Sequence, residues 1–330
     1  MAAGQINEVA LQIPQFQDVL AARDRTAGHI HRTPVLTSRM LDELSGAELF
    51  FKCENLQKAG AFKARGAANA VFGLSDAAAA RGVATHSSGN HGSCLAWAAG
   101  RRGIPCTVVM PHSAPQAKKD AVLGYGARLV ECEPSTSSRE AVFAGVLAGT
   151  GADFIHPYND PRVIAGQGTC ALELADQVSG LDAVIAPIGG GGMISGTCLT
   201  LSQIAPAVRI YAAEPEQADD ACRSLKAGRI IADDAPQTIA DGLKVPLKEL
   251  TWHFVQRHVT DILTVSEEEI VAAMLLIWKR LKIVMEPSSA VPLAAVLKHK
   301  NLFAGQRLGI IITGGNVDLT RLPWMQKGLP

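Results

Sequence analysis

The sequence has no Cys-x-x-Cys pair, no long apolar run and no excess of charge of either sign. Its seven cysteines are scattered, an odd number without pattern. That reads as reduced thiols of a cytoplasmic protein, each first of all a small buried hydrophobe. The longest apolar run, Ala290 to Leu297, is broken by Pro292 and is far too short to span a bilayer. The opening MAAGQINEVALQ lacks a basic segment followed by an apolar one, so no secretory signal is expected. Lys+Arg and Asp+Glu each number 31, for a formal net charge of zero. Nothing in that balance favours nucleic acid or a charged membrane surface as a partner. Internal repeats and low-complexity segments are also lacking.

What is present is apolar material for a sizeable core: 48% of the 330 residues are hydrophobic and 19% charged. A chain of this length is expected to form two domains or lobes. Short β-branched runs alternate with Ala/Leu-rich stretches. Strands are expected at Leu49–Cys53, Val83–His86, Cys106–Met110, Arg128–Cys132, Ala183–Ile188, Val208–Ala212 and Leu308–Ile312. Helices are expected between them, as at Gly92–Arg102 and Ala117–Tyr125. The clearest is Glu267–Leu281, where Ser266 and Glu269 have capping-box spacing and Ile270, Met274, Ile277 and Leu281 recur at helical spacing. The stretches Ile230–Pro236 and Gly242–Pro246 read as loops. This alternation predicts an α/β fold with parallel sheets covered by helices, and ligands at the C-terminal ends of the strands.

Three segments carry chemistry. Gly189 to Gly192 follow the apolar run AVIAPI and precede a helical stretch, Met193–Leu201. Glycines permit close backbone approach, and a helix N-terminus adds partial positive charge, so the run suits a phosphate. No Gly-Lys-Ser/Thr follows, which excludes a Walker A loop. Gly166-x-Gly168-x-x-Ala171 fits a loose dinucleotide pattern but follows no convincing strand. Lys63 sits among Gly60, Ala61, Phe62, Ala64 and Gly66. Small neighbours leave room for a cofactor, and desolvation there would favour the neutral amine needed for imine chemistry. A lysine that can hold an aldehyde and a turn that can hold a phosphate together point to pyridoxal phosphate (PLP). Ser87-Ser88-Gly89-Asn90-His91-Gly92 follows the strand VATH and offers hydroxyls, an amide and backbone donors at a helix start, a seat for a carboxylate. Each segment alone also has a plainer reading: a tight turn, a solvated lysine, an elaborate N-cap.

The segments FFKCENLQKAGAFKARGA, THSSGNHG, IAGQGT, GGGGMISG, AAEPEQADD, TIADGL and TGGNVDLT occur in this order. On them, from about Thr33 to Trp324, the chain resembles the serine/threonine dehydratase family of fold-type-II PLP enzymes, the serine racemase branch in particular. The resemblance implies two open parallel-sheet domains of the tryptophan synthase β type, with PLP in the cleft between them. Residues 1–80 and 159–330 would form a large discontinuous domain and 81–158 a small mobile one. Lys63 matches the Schiff-base lysine, Gly189, Gly190, Gly191, Gly192 and Met193 the phosphate loop, and Asn90 the partner of the cofactor's phenolic oxygen. Phe62 matches a residue packed beside the ring, and Thr313 the hydroxyl facing its nitrogen, which makes the ring a weaker electron sink suited to elimination. Ser87, Ser88, Asn90 and His91 match the substrate-carboxylate loop. Glu214, Ala218 (through its carbonyl) and Asp220 match a divalent-cation site, a donor set suited to Mg²⁺ or Ca²⁺, with Mn²⁺ as a further candidate. A capped, solvated loop is the plainer reading of the last three.

The chain departs from the pattern at Val245, where racemases often have a carboxylate-binding serine, and at Ser93, where animal racemases have a glutamine in the nucleotide-effector region. The segment His156–Pro161 also differs. The expected reaction is β-elimination of water from serine, threonine or a 3-hydroxyaspartate, giving a 2-oxo acid and ammonia, with Lys63 taking the Cα proton. A second carboxylate on the substrate would need a cation. Arg139 is the candidate, although a solvated helix charge is the plainer reading. Racemisation through Ser88 is the alternative, and a non-catalytic PLP-binding relative the remote one. A homodimer is implied by the resemblance alone.

Overall fold

The computed structural model describes residues 11–325 apart from residue 234. The opening stretch 1–10 and position 234 within the expected loop lie outside the described residues. Among the described residues ten strands form two sheets: β1 (Val35–Leu36), β2 (Glu48–Cys53), β3 (Val83–His86), β4 (Cys106–Pro111), β5 (Arg128–Cys132), β6 (Asp153–Phe154), β7 (Ala183–Pro187), β8 (Arg209–Pro215), β9 (Val259–Val265) and β10 (Arg307–Ile312). The larger has the order β1-β2-β10-β7-β8-β9 and the smaller β5-β4-β3-β6. Every pairing is parallel except that of β1 with β2. Helices cover the faces, so the central strands are apolar throughout: β7 is buried at all five positions, and β10 at all but its first.

Seven strands were legible from β-branched runs. The three that were not are edges or fragments. β1 and β6 have two residues each. β9 closes one edge of the large sheet and exposes Thr260 and Asp261, which dilutes its apolar signal. β8 runs past its expected end to Pro215 and so carries Glu214 at the rim of the sheet. The capping box of Glu267–Leu281 forms: Ser266 N donates to Glu269 Oε2 (2.8 Å) and Glu269 N to Ser266 Oγ (3.3 Å). All seven cysteines are free and buried. No helix among the described residues is long and apolar enough to cross a membrane.

Three helices meet backbone to backbone. Lys63–Phe72, Pro161–Gln177 and Gly192–Ile204 cross at glycines. A Cβ on Gly166 would lie 2.6 Å from Gly66 Cα, and one on Gly196 2.5 Å from Gly168 N. The apparent dinucleotide pattern at Gly166 and Gly168 is therefore a packing device inside a helix. Close packing leaves these helices little freedom to slide. The first begins at Lys63 and the last at Gly192.

A buried ion network ties the first helix down further. Arg65 is fully buried. It donates to both oxygens of Glu54 (2.6 and 2.7 Å) and both of Glu173 (2.8 Å each). Lys52 donates to Glu173 Oε2 (2.7 Å), the Thr33 carbonyl (2.9 Å) and Gln177 Oε1 (2.8 Å). Two cations and two carboxylates balance, and the bidentate geometry offsets part of their desolvation.

Candidate active site

Lys63 opens its helix with its side chain half-buried, Nζ donating to the Pro157 carbonyl at 2.7 Å. Burial pushes its pKa down to about 8, so the amine is neutral far more readily than a surface lysine. Nζ lies 5.0 Å from the centre of the Phe62 ring. The segment is held from below by the loop after β10: Phe62 N donates to the Thr313 carbonyl (2.9 Å), and Gly315 N to that of Gly60 (2.9 Å). Thr313 Oγ1 is 2.9 Å from Ser289 Oγ, which also accepts from Gly314 N (2.8 Å).

Pro157 links Lys63 to the glycine run, because the next residue, Tyr158, packs on it. A Cβ on Gly190 would stand 2.5 Å from the Tyr158 ring, and one on Gly192 2.9 Å from Tyr158 Cβ. Gly189 is pressed by Leu243 (2.8 Å) and Gly191, with φ +82°, by Leu247 (2.7 Å). No larger residue fits at any of the four. Among the described residues the N–H groups of Gly189 to Met193 have no protein acceptor, and they stand at the start of the helix Gly192–Ile204. A bare set of donors at a helix N-terminus is what a phosphate requires. An amine that sheds its proton readily and this cradle fit PLP.

Asn90 lies on the other side. Its Nδ2 donates to both Glu286 oxygens (2.9 and 3.1 Å) and its Oδ1 accepts from Asn316 Nδ2 (2.9 Å). Glu286 is buried, which pushes its carboxyl up to about 7, with Asp241 adding to the shift. Sequence reasoning missed Glu286, Ser289 and Asn316. A signal existed in Glu286-Pro287-Ser288-Ser289, a charge and two hydroxyls at the head of an otherwise apolar helix.

Ser87, Ser88 and His91 sit at the end of β3 and the start of the helix Asn90–Arg102. Gly89 N donates to Ser87 Oγ (3.3 Å), while the Ser88 hydroxyl has no protein partner among the described residues. His91 Nε2 pairs with the Ile155 carbonyl (3.0 Å), which makes Nε2 the donor and leaves Nδ1 buried without a partner. Burial and the Lys63 charge push this ring down to about 3, so it stays neutral. What His91 offers a carboxylate is its backbone N–H. Arg139, in the first turn of the helix Thr136–Thr150, is half-buried with a Nε that has no partner. Its charge is felt at His86 and at Tyr158. Ser93 is buried within its helix, and Val245 is exposed.

Glu214 and Asp220 lie beyond the glycine run, with Ala218 between them in a short 3₁₀ turn. Glu214 accepts from Cys222 N (2.6 Å) and Ala221 N (3.3 Å), and Asp220 Oδ2 is buried without a partner. Burial raises both carboxyls, Glu214 to about 9 and Asp220 to about 6. Two desolvated carboxylates with an open oxygen fit a cation, although no group of three or more His, Cys, Asp or Glu gathers among the described residues. A separate cavity of about 420 Å³, lined by Arg23, Arg32, Glu173 and Asp176 among others, holds none of these residues.

Known proteins are similar to this chain over nearly its whole length. A β-hydroxyaspartate dehydratase of Paracoccus denitrificans (strain Pd 1222) is 71% identical over 314 residues, 95% of this chain and 100% of that protein. A serine racemase of Arabidopsis thaliana is 51% identical over 308 residues, 91% of this chain and 92% of that one. The solved structure of maize serine racemase superposes with a TM-score of 0.92 at 46% identity, covering 94% of this chain and 96% of that one. The profile described as "Pyridoxal-phosphate dependent enzyme" matches residues 26–314, a stretch that contains Lys63 and Gly189 to Gly192. The chain belongs to the pyridoxal-phosphate dependent enzyme family.

Proposed function

We propose that this PLP-dependent dehydratase and ammonia-lyase, which eliminates water from β-hydroxy amino acids, takes a 3-hydroxyaspartate as its substrate. The observation that carries the reading is Arg139, a half-buried guanidinium near Tyr158 and His86 whose Nε has no protein partner among the described residues. A half-buried cationic donor without a partner costs stability unless a ligand pairs with it, and a second substrate carboxylate would do so. The 71% identical relative is named for the same substrate class.

In this reading Gly189 to Met193 hold the phosphate, Lys63 the aldehyde, Asn90 the phenolic oxygen and Thr313 the ring nitrogen. PLP bound there supplies the electron sink for a carbanion at Cα. The backbone and hydroxyl donors of Ser87 to His91 bind the α-carboxylate. The Lys63 amine, its pKa lowered to about 8, takes the Cα proton. Loss of the β-hydroxyl leaves an enamine, which tautomerises and hydrolyses in water to oxaloacetate and ammonia. Glu214, the Ala218 carbonyl and Asp220 hold Mg²⁺ or a similar cation outside the reacting centre, supported by the open Asp220 oxygen. Residues 81–158 act as a mobile lobe that brings the Ser87–His91 loop to the substrate. A cytoplasmic homodimer completes the reading, the location supported by seven free, buried thiols.

The test is ammonia release from L-serine, L-threonine and each 3-hydroxyaspartate isomer with Mg²⁺. Turnover of one hydroxyaspartate isomer well above serine and threonine is expected. Arg139→Met should then raise KM for that isomer roughly 10- to 100-fold more than for L-serine. Equal effects on both substrates would remove Arg139 from the distal-carboxylate role. A racemase is the second reading, favoured by the unpartnered Ser88 hydroxyl and the serine racemase relatives. Chiral analysis of L-serine recovered from the same assay decides it.

A further inference from the structure

We propose that His156 is a second recognition residue for the distal carboxylate, donating a hydrogen bond from Nε2 beside the Arg139 guanidinium. The inference rests on the hydroxyaspartate reading and names the group with which Arg139 shares that carboxylate.

The tautomer follows from the backbone. His156 Nδ1 accepts from Asn159 N (2.9 Å) and from Tyr158 N (3.3 Å). A ring nitrogen that accepts two N–H groups carries no proton, so the proton is on Nε2. Burial, with the charges of His86 and Lys63, pushes the ring down to about 3, and it stays neutral with a single fixed donor. Among the described residues that donor has no protein partner. His91 Nδ1 is sealed in the interior without a partner, whereas His156 is only half-buried and its Nε2 is not among the sealed atoms. An open donor on a half-buried ring faces solvent-accessible space.

The neighbours place that space. The His156 ring stands 4.7 Å from the Tyr158 ring at 88° and 6.5 Å from that of His86 at 84°. Arg139 acts electrostatically on both flanking rings, and Lys63 on His156 itself. Pro157, the next residue, accepts from Lys63 Nζ at 2.7 Å, so His156 stands beside the amine that takes the Cα proton, while the Arg139 charge reaches the two rings that flank it. A substrate with a carboxylate on Cβ would meet one charged and one neutral donor there. Serine and threonine, lacking that carboxylate, leave both donors unpaired, and sites of this kind discriminate strongly against such analogues.

The decisive variant is His156→Asn. The asparagine Oδ1 stands close to where Nδ1 was and still accepts the Tyr158 and Asn159 N–H groups, but nothing replaces the Nε2–H. In the holoenzyme, KM for the preferred hydroxyaspartate isomer should rise at least about tenfold more than KM for L-serine, the loss of one charge-assisted hydrogen bond. Calorimetry with succinate and butyrate, which differ by one carboxylate, should show the wild-type preference for succinate shrinking by a similar factor in the variant. An equal loss on both substrates and an unchanged succinate preference would mean that His156 only shapes the turn, and would overturn the proposal. Should the wild type release no ammonia from any hydroxyaspartate isomer, the substrate reading fails by itself. A succinate preference that still shrinks in His156→Asn would then support a dicarboxylate site there, and an unchanged one would reject it.

Discussion

The two walls of the candidate site use their polar side chains differently. On the wall that carries Lys63, the named side chains are engaged within the protein. Thr313 meets Ser289, Glu286 and Asn316 reach across to hold Asn90, and behind them Arg65 is held by four bonds to Glu54 and Glu173. On the wall built from the small sheet, Ser88 and His156 present donors with no protein partner among the described residues, where Arg139 Nε is likewise unpaired. Spent hydrogen bonds fix geometry, and unspent ones wait for a ligand. Under the proposed function, the first wall would hold a cofactor that stays, and the second a substrate that comes and goes.

The contrast can be broken most severely at Lys63. Lys63→Ala should lower ammonia release by at least about 10³-fold, since both the covalent hold on the cofactor and the base are lost. Activity within tenfold of wild type would show that the first wall is not the catalytic one. Next comes the bracing behind it. Arg65→Met leaves Glu54 and Glu173 buried without their cation and should cost about 3–5 kcal/mol of stability in denaturant unfolding. A loss below about 1 kcal/mol would mean that the network is not what anchors this helix. The substrate wall should respond in the opposite way. Arg139→Met and His156→Asn should leave stability within about 1 kcal/mol while shifting substrate choice.

The smallest expected effect lies in pH. Glu286 has its folded pKa raised from 4.5 to about 7. Between those values the folded protein binds the extra proton, so its stabilising contribution is full below about pH 4.5 and is lost as pH rises through about 7. For the apoprotein, Glu286→Gln should flatten that slope by something on the order of 1–3 kcal/mol, seen as Tm against pH. An unchanged slope would show that Glu286 is charged and satisfied throughout.

Seven of the ten strands and the long capped helix were legible in the sequence, because a buried parallel strand is an apolar run and a capping box spans four residues. The edge strand β9, with Thr260 and Asp261 facing outward, was not. Within the site, the lysine among small residues and the four glycines could be read directly. The role of Glu286 could not, since Asn90 lies 196 residues away and the polar head of its helix does not say which residue it meets. The pattern at Gly166 and Gly168 read as a weak nucleotide signal until the helices crossing there showed why glycine is required.

The sequence by itself determined the α/β class, the lysine among small residues, the run of four glycines, and the absence of net charge, because each depends on residue type and short spacing. Only the tertiary structure decided which donors are spent and which remain open. It set the lowered Lys63 pKa, the His156 tautomer and the unpaired Arg139. Those depend on burial and on partners brought together from distant parts of the chain, and burial is a property of the folded whole.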